Sequence, residues 1–191
     1  MKQHTIGLYG QTARVISLFR LYRETGEEEW KEQAENLLES LWENCDTAEP
    51  WSYGHGFIGL GTGTEYLIQN GFAEGDADEI LAEIDALAVN LINARVPLDL
   101  TVENGILGLA CYLYHRLCYR TGSAEERALI LKEHTLYLID WIADSMQDPA
   151  IPRNGYEVYF ILVMLHRLNL FNAKIEHLIH RCNQQISTLQ S

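Results

Sequence analysis

The sequence predicts an all-α fold of four helical hairpins set in a partial α/α toroid. Three observations carry that prediction: glycine steps recur at a near-constant interval, an apolar segment of about four turns follows each step, and an amphipathic segment with a helix-start signal follows that. The leading glycines Gly7, Gly56, Gly105 and Gly155 are 49, 49 and 50 residues apart. Periods of this length mark stacked supersecondary units. The repeats run over about 5–45, 54–95, 103–147 and 153–189, within one domain of 191 residues that is 47% hydrophobic and so able to bury a core of its own.

In the first repeat Ala13, Val15, Ile16, Leu18, Phe19 and Leu21 make a segment apolar on most sides, which predicts an inner helix. Trp30, Ala34, Leu37, Leu38, Leu41 and Trp42 then follow a single helical stripe, with Glu and Lys on the opposite face. That is an outer helix with one wet side. The second repeat has its inner helix after Gly56 and its outer stripe at Ile80, Leu81, Ile84, Leu87, Ala88, Leu91 and Ile92. In the third, the inner helix spans Ile106 to Leu117, and Leu131, Leu138, Ile139 and Ile142 form the outer stripe. The fourth outer stripe is Ile175, Leu178, Ile179, Cys182 and Ile186. Each outer helix is preceded by a side chain able to accept from orphan backbone N–H groups, followed in the first three by a carboxylate three residues on: Thr25 with Glu28, Asp76 with Glu79, Ser123 with Glu126, and Asn172 alone. Glycine at the start of each inner helix lets the chain turn sharply and lets backbones approach closely, and it leaves helix N-termini pointing at a common rim.

A formal charge of −13 disfavours nucleic acid and anionic membrane as partners, because a phosphate binder must first neutralise its ligand. No basic segment leads into an apolar core at the start, and Arg116, Glu157, His166 and Arg167 break the most apolar runs. The expectation is therefore a cytoplasmic chain with neither signal peptide nor membrane span. Cys45, Cys111, Cys118 and Cys182 lack the spacing of a disulfide scaffold and read as reduced thiols.

The residues gathered at the rim by this repeat are His4, Trp51, Tyr53, His55, Glu103, Asn104, Arg153, Asn154 and Glu157. Aromatic, carboxylate, amide and guanidinium groups converging on a concavity suit a peptide or a sugar. The plainer alternative makes Asn104 and Asn154 helix caps and the tryptophan a plug. Glu103 and Glu157 are also candidates for an acid/base pair of the kind glycosidases use. Cys111, His115 and Cys118 occupy i, i+4 and i+7 of one helix face, which makes them the candidate metal ligands; the competing reading is of buried thiols behaving as small hydrophobes. His115 and His166 both lie in a His-Arg-Leu tripeptide, read as the satisfied polar end of an inner helix. His177, His180 and Cys182 do not share one face, since Cys182 points about 160° away from His180.

The stretches Gly56-Phe57-Ile58-Gly59-Leu60-Gly61, Glu65 to Asp85 and Asn104-Gly105-Ile106-Leu107-Gly108 through Leu113 resemble the lanthionine synthetase C-like family, most closely between Tyr53 and Arg120. The resemblance implies an α/α toroid of hairpins and, for the family's enzymes, a zinc ion held by two cysteines and a histidine that activates a peptide cysteine. Those ligands come from a Trp-Cys-x-Gly and a Cys-His-Gly stretch. Here Trp51-Ser52-Tyr53-Gly54 has Ser52 at the cysteine position, no Cys-His dipeptide occurs, and the chain has room for only part of the ring. A neutral hydroxyl is a poor zinc ligand. The expected function is thus a non-catalytic peptide-binding or partner module in ribosomal-peptide modification, with no cofactor; the alternatives are a metal-dependent peptide cyclase and a six-hairpin-type glycosidase.

A partial ring leaves its end helices one neighbour short. The sequence therefore predicts exposed apolar residues at Ile6, Leu8, Val15 and Phe19 at one end and Tyr159, Phe160, Val163 and Met164 at the other. Val158 replaces the second glycine seen at Gly10, Gly59 and Gly108, as in a terminal repeat. A homo-oligomer, or a maturase partner, is the expected closure.

Overall fold

The computed structural model describes residues 5–46, 48–120, 125–148, 151 and 154–188, without the side chains of 185–188. Among them are nine α-helices and no β-strand: α1 (Gln11–Thr25), α2 (Glu28–Glu43), α3 (Phe57–Gln69), α4 (Ala77–Ile80), α5 (Ala82–Ala94), α6 (Ile106–Leu117), α7 (Glu126–Ser145), α8 (Gly155–His166) and α9 (Asn172–Thr188). The protein is all-α. The chain groups into two compact units, residues 1–84 and 85–191, divided inside α5.

In the first unit α1 packs on both α2 and α3. Ile6, Val15, Leu18 and Phe19 are buried together with Ala34 and Leu41 of α2 and with Leu60 and Leu67 of α3. This corrects the expectation of an exposed first edge: Val15 is 0% and Phe19 1% exposed, because α2 and α3 cover α1 from two sides, and Leu8 is half-buried. The close approach of α1 and α3 requires glycine. A Cβ on Gly63 would fall onto Cγ2 of Thr12, and one on Gly59 would meet the Tyr53 carbonyl and stand 2.7 Å from the Leu8 nitrogen. Thr12 itself is fixed by donating its hydroxyl to the Ile6 carbonyl.

The second outer segment is two helices rather than one, since the backbone leaves α-geometry at Leu81 (φ −97°, ψ 8°), whose side chain is wholly buried. Asp76 caps α4 as expected, its Oδ1 accepting from the Asp78 amide at 2.8 Å. The Thr25 box does not form. Gly26 takes the left-handed conformation (φ 73°) that ends α1, so Glu27 rather than Thr25 stands at the N-cap of α2, and Thr25 Oγ1 accepts from the Glu27 amide at 3.2 Å. Ser123 lies outside the described residues.

In the second unit α6 packs on α7 and α8, and α8 packs on α9. Helix α6 is buried from Ile106 through Leu113. Helix α8 is not: Tyr156 is 62% and Phe160 67% exposed, with Tyr159 beside them. Asn172 does not cap α9 but is its first residue. The Phe171 carbonyl instead accepts from the Lys174 and Ile175 amides, with Phe171 itself at φ 57°.

Candidate functional site

The starts of α3 and α6 are built alike. Gly56 and Gly105 are the N-caps, both extended, and the first helical amide in each case reaches back seven residues: Phe57 N–H to the Pro50 carbonyl and Ile106 N–H to the Asp99 carbonyl, both at 3.0 Å. A side chain on either glycine would collide with that same carbonyl. The step into α1 is shorter, with Gly10 at the N-cap and Gln11 N–H donating to the Thr5 carbonyl at 2.9 Å. In α8 Asn154 takes the N-cap and Gly155 is already helical. The glycines are thus one structural repeat in the middle of the chain, with a shifted register at both ends.

Within the first unit the glycine loops pair. Leu8 N–H donates to the Tyr53 carbonyl at 3.2 Å and Tyr9 N–H to the Gly54 carbonyl at 2.8 Å. This brings Trp51, Tyr53 and His55, all half-buried, beside residues 5–10, and the rings of Tyr9 and His55 meet edge to face at 6.0 Å. Ser52 is 5% exposed, and its Oγ accepts from the His55 amide at 3.4 Å. It holds the turn. His4 lies outside the described residues.

In the second unit the corresponding join is made by Glu157. Its Oε2 accepts from the Val102 amide at 3.0 Å and its Oε1 from Asn154 Nδ2 at 3.2 Å, so the carboxylate ties the loop before α6 to the first turn of α8. Asn154 also caps α8, its Oδ1 accepting from the Tyr156 amide at 3.1 Å. Beside this join stand Glu103, half-buried, and Asn104, exposed, with the Asn104 amide donating to Thr101 Oγ1 at 3.4 Å. Asn104 is therefore not the cap of α6. Arg153 lies outside the described residues.

Cys111, His115 and Cys118 do not come together as ligands. Cys111 is buried, and Cys118 stands at the C-cap, its thiol directed to the His115 carbonyl at 3.5 Å. Burial holds the His115 imidazole below its ordinary pKa. Among the described residues no three His, Cys, Asp or Glu side chains are placed to hold a metal ion. His166 pairs with Glu176, at 3.0 Å. The buried Cys182 thiol donates to the Gly155 carbonyl at 3.1 Å, which ties α9 to the start of α8.

A buried polar cluster around Asp85 was not singled out from the sequence. Asp85 of α5 receives Nε and Nη2 of Arg116 at 3.0 and 2.8 Å, the Tyr112 hydroxyl at 2.6 Å and Nη1 of Arg127 at 3.3 Å. Arg116 is 0% exposed. Two signals could have found the pair. Asp85 sits within the buried stripe of Leu81, Ile84, Ala88 and Ile92, where an acid needs a partner, and Arg116 belongs to the repeated His-Arg-Leu tripeptide. With every hydrogen-bonding direction of the carboxylate engaged, the cluster joins α5, α6 and α7 and is structural.

No family model, curated protein or solved structure matches the chain.

Proposed function

We propose that the chain is a lanthionine synthetase C-like protein, a partial α/α toroid of four hairpins that binds a peptide at its glycine-rich rim without transforming it and serves as a partner module in ribosomal-peptide modification. The observation that supports this reading is the repeated glycine step. The same seven-residue amide-to-carbonyl closure recurs 49 residues apart at Phe57 and Ile106, and in each unit neighbouring helix starts are joined, by backbone pairing at Tyr53 and by Glu157 at Val102. The packing of α1 on α2, α6 on α7 and α8 on α9 accords with hairpins.

Binding is favoured over hydrolysis because Glu157 has both oxygens committed to backbone and cap contacts, which suits an anchor better than a general acid or base. It is favoured over zinc-dependent cyclisation because Ser52 stands where a ligand thiolate is required and is used in its own turn. The exposed Tyr156, Tyr159 and Phe160 of α8 support assembly with a second copy, the simplest closure of an incomplete ring.

The test is fluorescence anisotropy with labelled precursor peptides encoded beside the gene, followed by mass spectrometry of the peptide. Saturable binding that Tyr53→Ala and Glu103→Ala weaken, with peptide mass unchanged, is the expected outcome. A changed peptide mass, release of sugar from a glycoside, or stoichiometric zinc in protein purified without metal would overturn it.

A further inference from the structure

We infer that the first unit carries a second binding site, remote from the glycine steps, that takes a tyrosine-type side chain next to a basic residue. The inference rests on the peptide-binding reading above and names a separate point of attachment. Two cavities of about 270 and 620 Å³ share Leu38, Ala73 and Glu74 as walls and so adjoin. The smaller is lined by Leu38, Trp42, Thr64, Ile68, Ala73 and Ile80 along with Glu74, and is of a size for one side chain rather than a run of peptide. Thr64 and Tyr22 lie about 12 and 18 Å along their helices from the N-caps Gly56 and Gly10, at 1.5 Å per residue.

Thr64 is what gives the small cavity its specificity. It is 3% exposed, and its Oγ1 is buried with no hydrogen-bond partner among the described residues. Two other buried helical threonines, Thr62 and Thr135, satisfy their hydroxyls on the carbonyl four residues back, Thr62 on Ile58 at 2.7 Å and Thr135 on Leu131 at 2.8 Å. Thr64 does not. A buried hydroxyl left unpaired is costly, so a guest that brings a polar atom to the apolar chamber gains where a purely apolar guest does not. A phenol meets both demands.

The larger cavity supplies the second half of the recognition. Phe19, Tyr22 and Phe72 give it apolar walls, and its lining carries Glu35, Glu39 and Glu74 against Lys31, which is already paired with Glu35 at 3.8 Å, while the Arg23 guanidinium lies over the Phe72 ring at 3.6 Å. The surplus is acidic and draws an ammonium or guanidinium group. A tyrosine with a lysine or arginine beside it therefore fills both cavities.

The experiment is calorimetric titration of the full chain with acetyl-Tyr-Lys-amide, acetyl-Phe-Lys-amide and acetyl-Tyr-Glu-amide. The tyrosyl-lysine probe is expected to bind about threefold to tenfold more tightly than the phenylalanyl one, the worth of one hydrogen bond, and more tightly than the glutamate one. Thr64→Val should erase the preference for tyrosine and leave phenylalanine binding intact. Ala73→Trp, checked for native helicity, should abolish binding of all three. Failure of every probe to bind at millimolar concentration, or a tyrosine preference that survives Thr64→Val, overturns the inference; should Ala73→Trp not fold, the Thr64→Val result decides. Precursor binding at the rim without binding of the probes ends this inference alone, and probe binding without rim binding ends the rim reading alone.

Discussion

Arg116 and Asp85 form a two-pronged ion pair, 2.8 and 3.0 Å long, with side chains 0% and 4% exposed. Two charges withdrawn so far from water hold their place only as a pair, and breaking such a pair by removing one member strands the other. Asp85→Asn and Arg116→Met are each expected to lower unfolding free energy by about 3–5 kcal/mol, read from urea midpoints, and the double variant Asp85→Leu with Arg116→Met should cost less than either single change. Equal or additive losses would show that the pair is not the unit of stability.

Gly63 and Thr12 set the spacing of α1 and α3. Alanine in a helix normally stabilises relative to glycine, but here its methyl would occupy the space of Thr12 Cγ2. Gly63→Ala is expected to destabilise by about 1–3 kcal/mol, as overpacking does. Thr12→Ser, which keeps the hydroxyl bonded to Ile6 and removes the methyl, should restore most of that loss in the double variant.

Thr62 and Thr64 are two residues apart on one helix and should respond oppositely to the same change. Thr62→Val removes a made hydrogen bond and is expected to cost about 0.5–1.5 kcal/mol. Thr64→Val replaces an unpartnered buried hydroxyl by a methyl of similar size and should raise the thermal midpoint of the ligand-free protein. Loss of stability in Thr64→Val would mean that the hydroxyl is satisfied after all.

His115 makes stability depend on pH. Burial lowers its folded pKa below the ordinary histidine value of about 6.5, so under acid the unfolded chain binds the proton more readily than the folded one. Its contribution is fully present above pH about 6.5 and is lost as pH falls from there towards the folded pKa. Urea midpoints measured between pH 7.5 and 5 should fall less steeply for His115→Gln than for the wild type. Parallel curves would remove His115 from the account.

The periodicities of this sequence determined its helices and most of their burial, because the spacing that places Ile106 to Leu113 on every side of a helix, or Trp30 to Trp42 along one stripe, is a local property of the chain. The glycine interval likewise determined that α3 and α6 would open in the same way. Tertiary structure decided the rest. Whether Val15 and Phe19 lie open or covered depends on how α2 and α3 pack over α1, and that packing was fixed by the absence of a Cβ at Gly59 and Gly63 meeting a particular threonine and a particular loop. The acid at Asp85 is visible in the sequence as an anomaly in an apolar stripe, but its partner is 31 residues away on another helix, and Coulomb attraction acts through space rather than along the chain. Thr64 reads in sequence as one more small helical residue. Only the folded chain, by burying its hydroxyl without a partner among the described residues and setting Thr64 in the wall of a cavity with Leu38, Trp42 and Ile80, makes it a site.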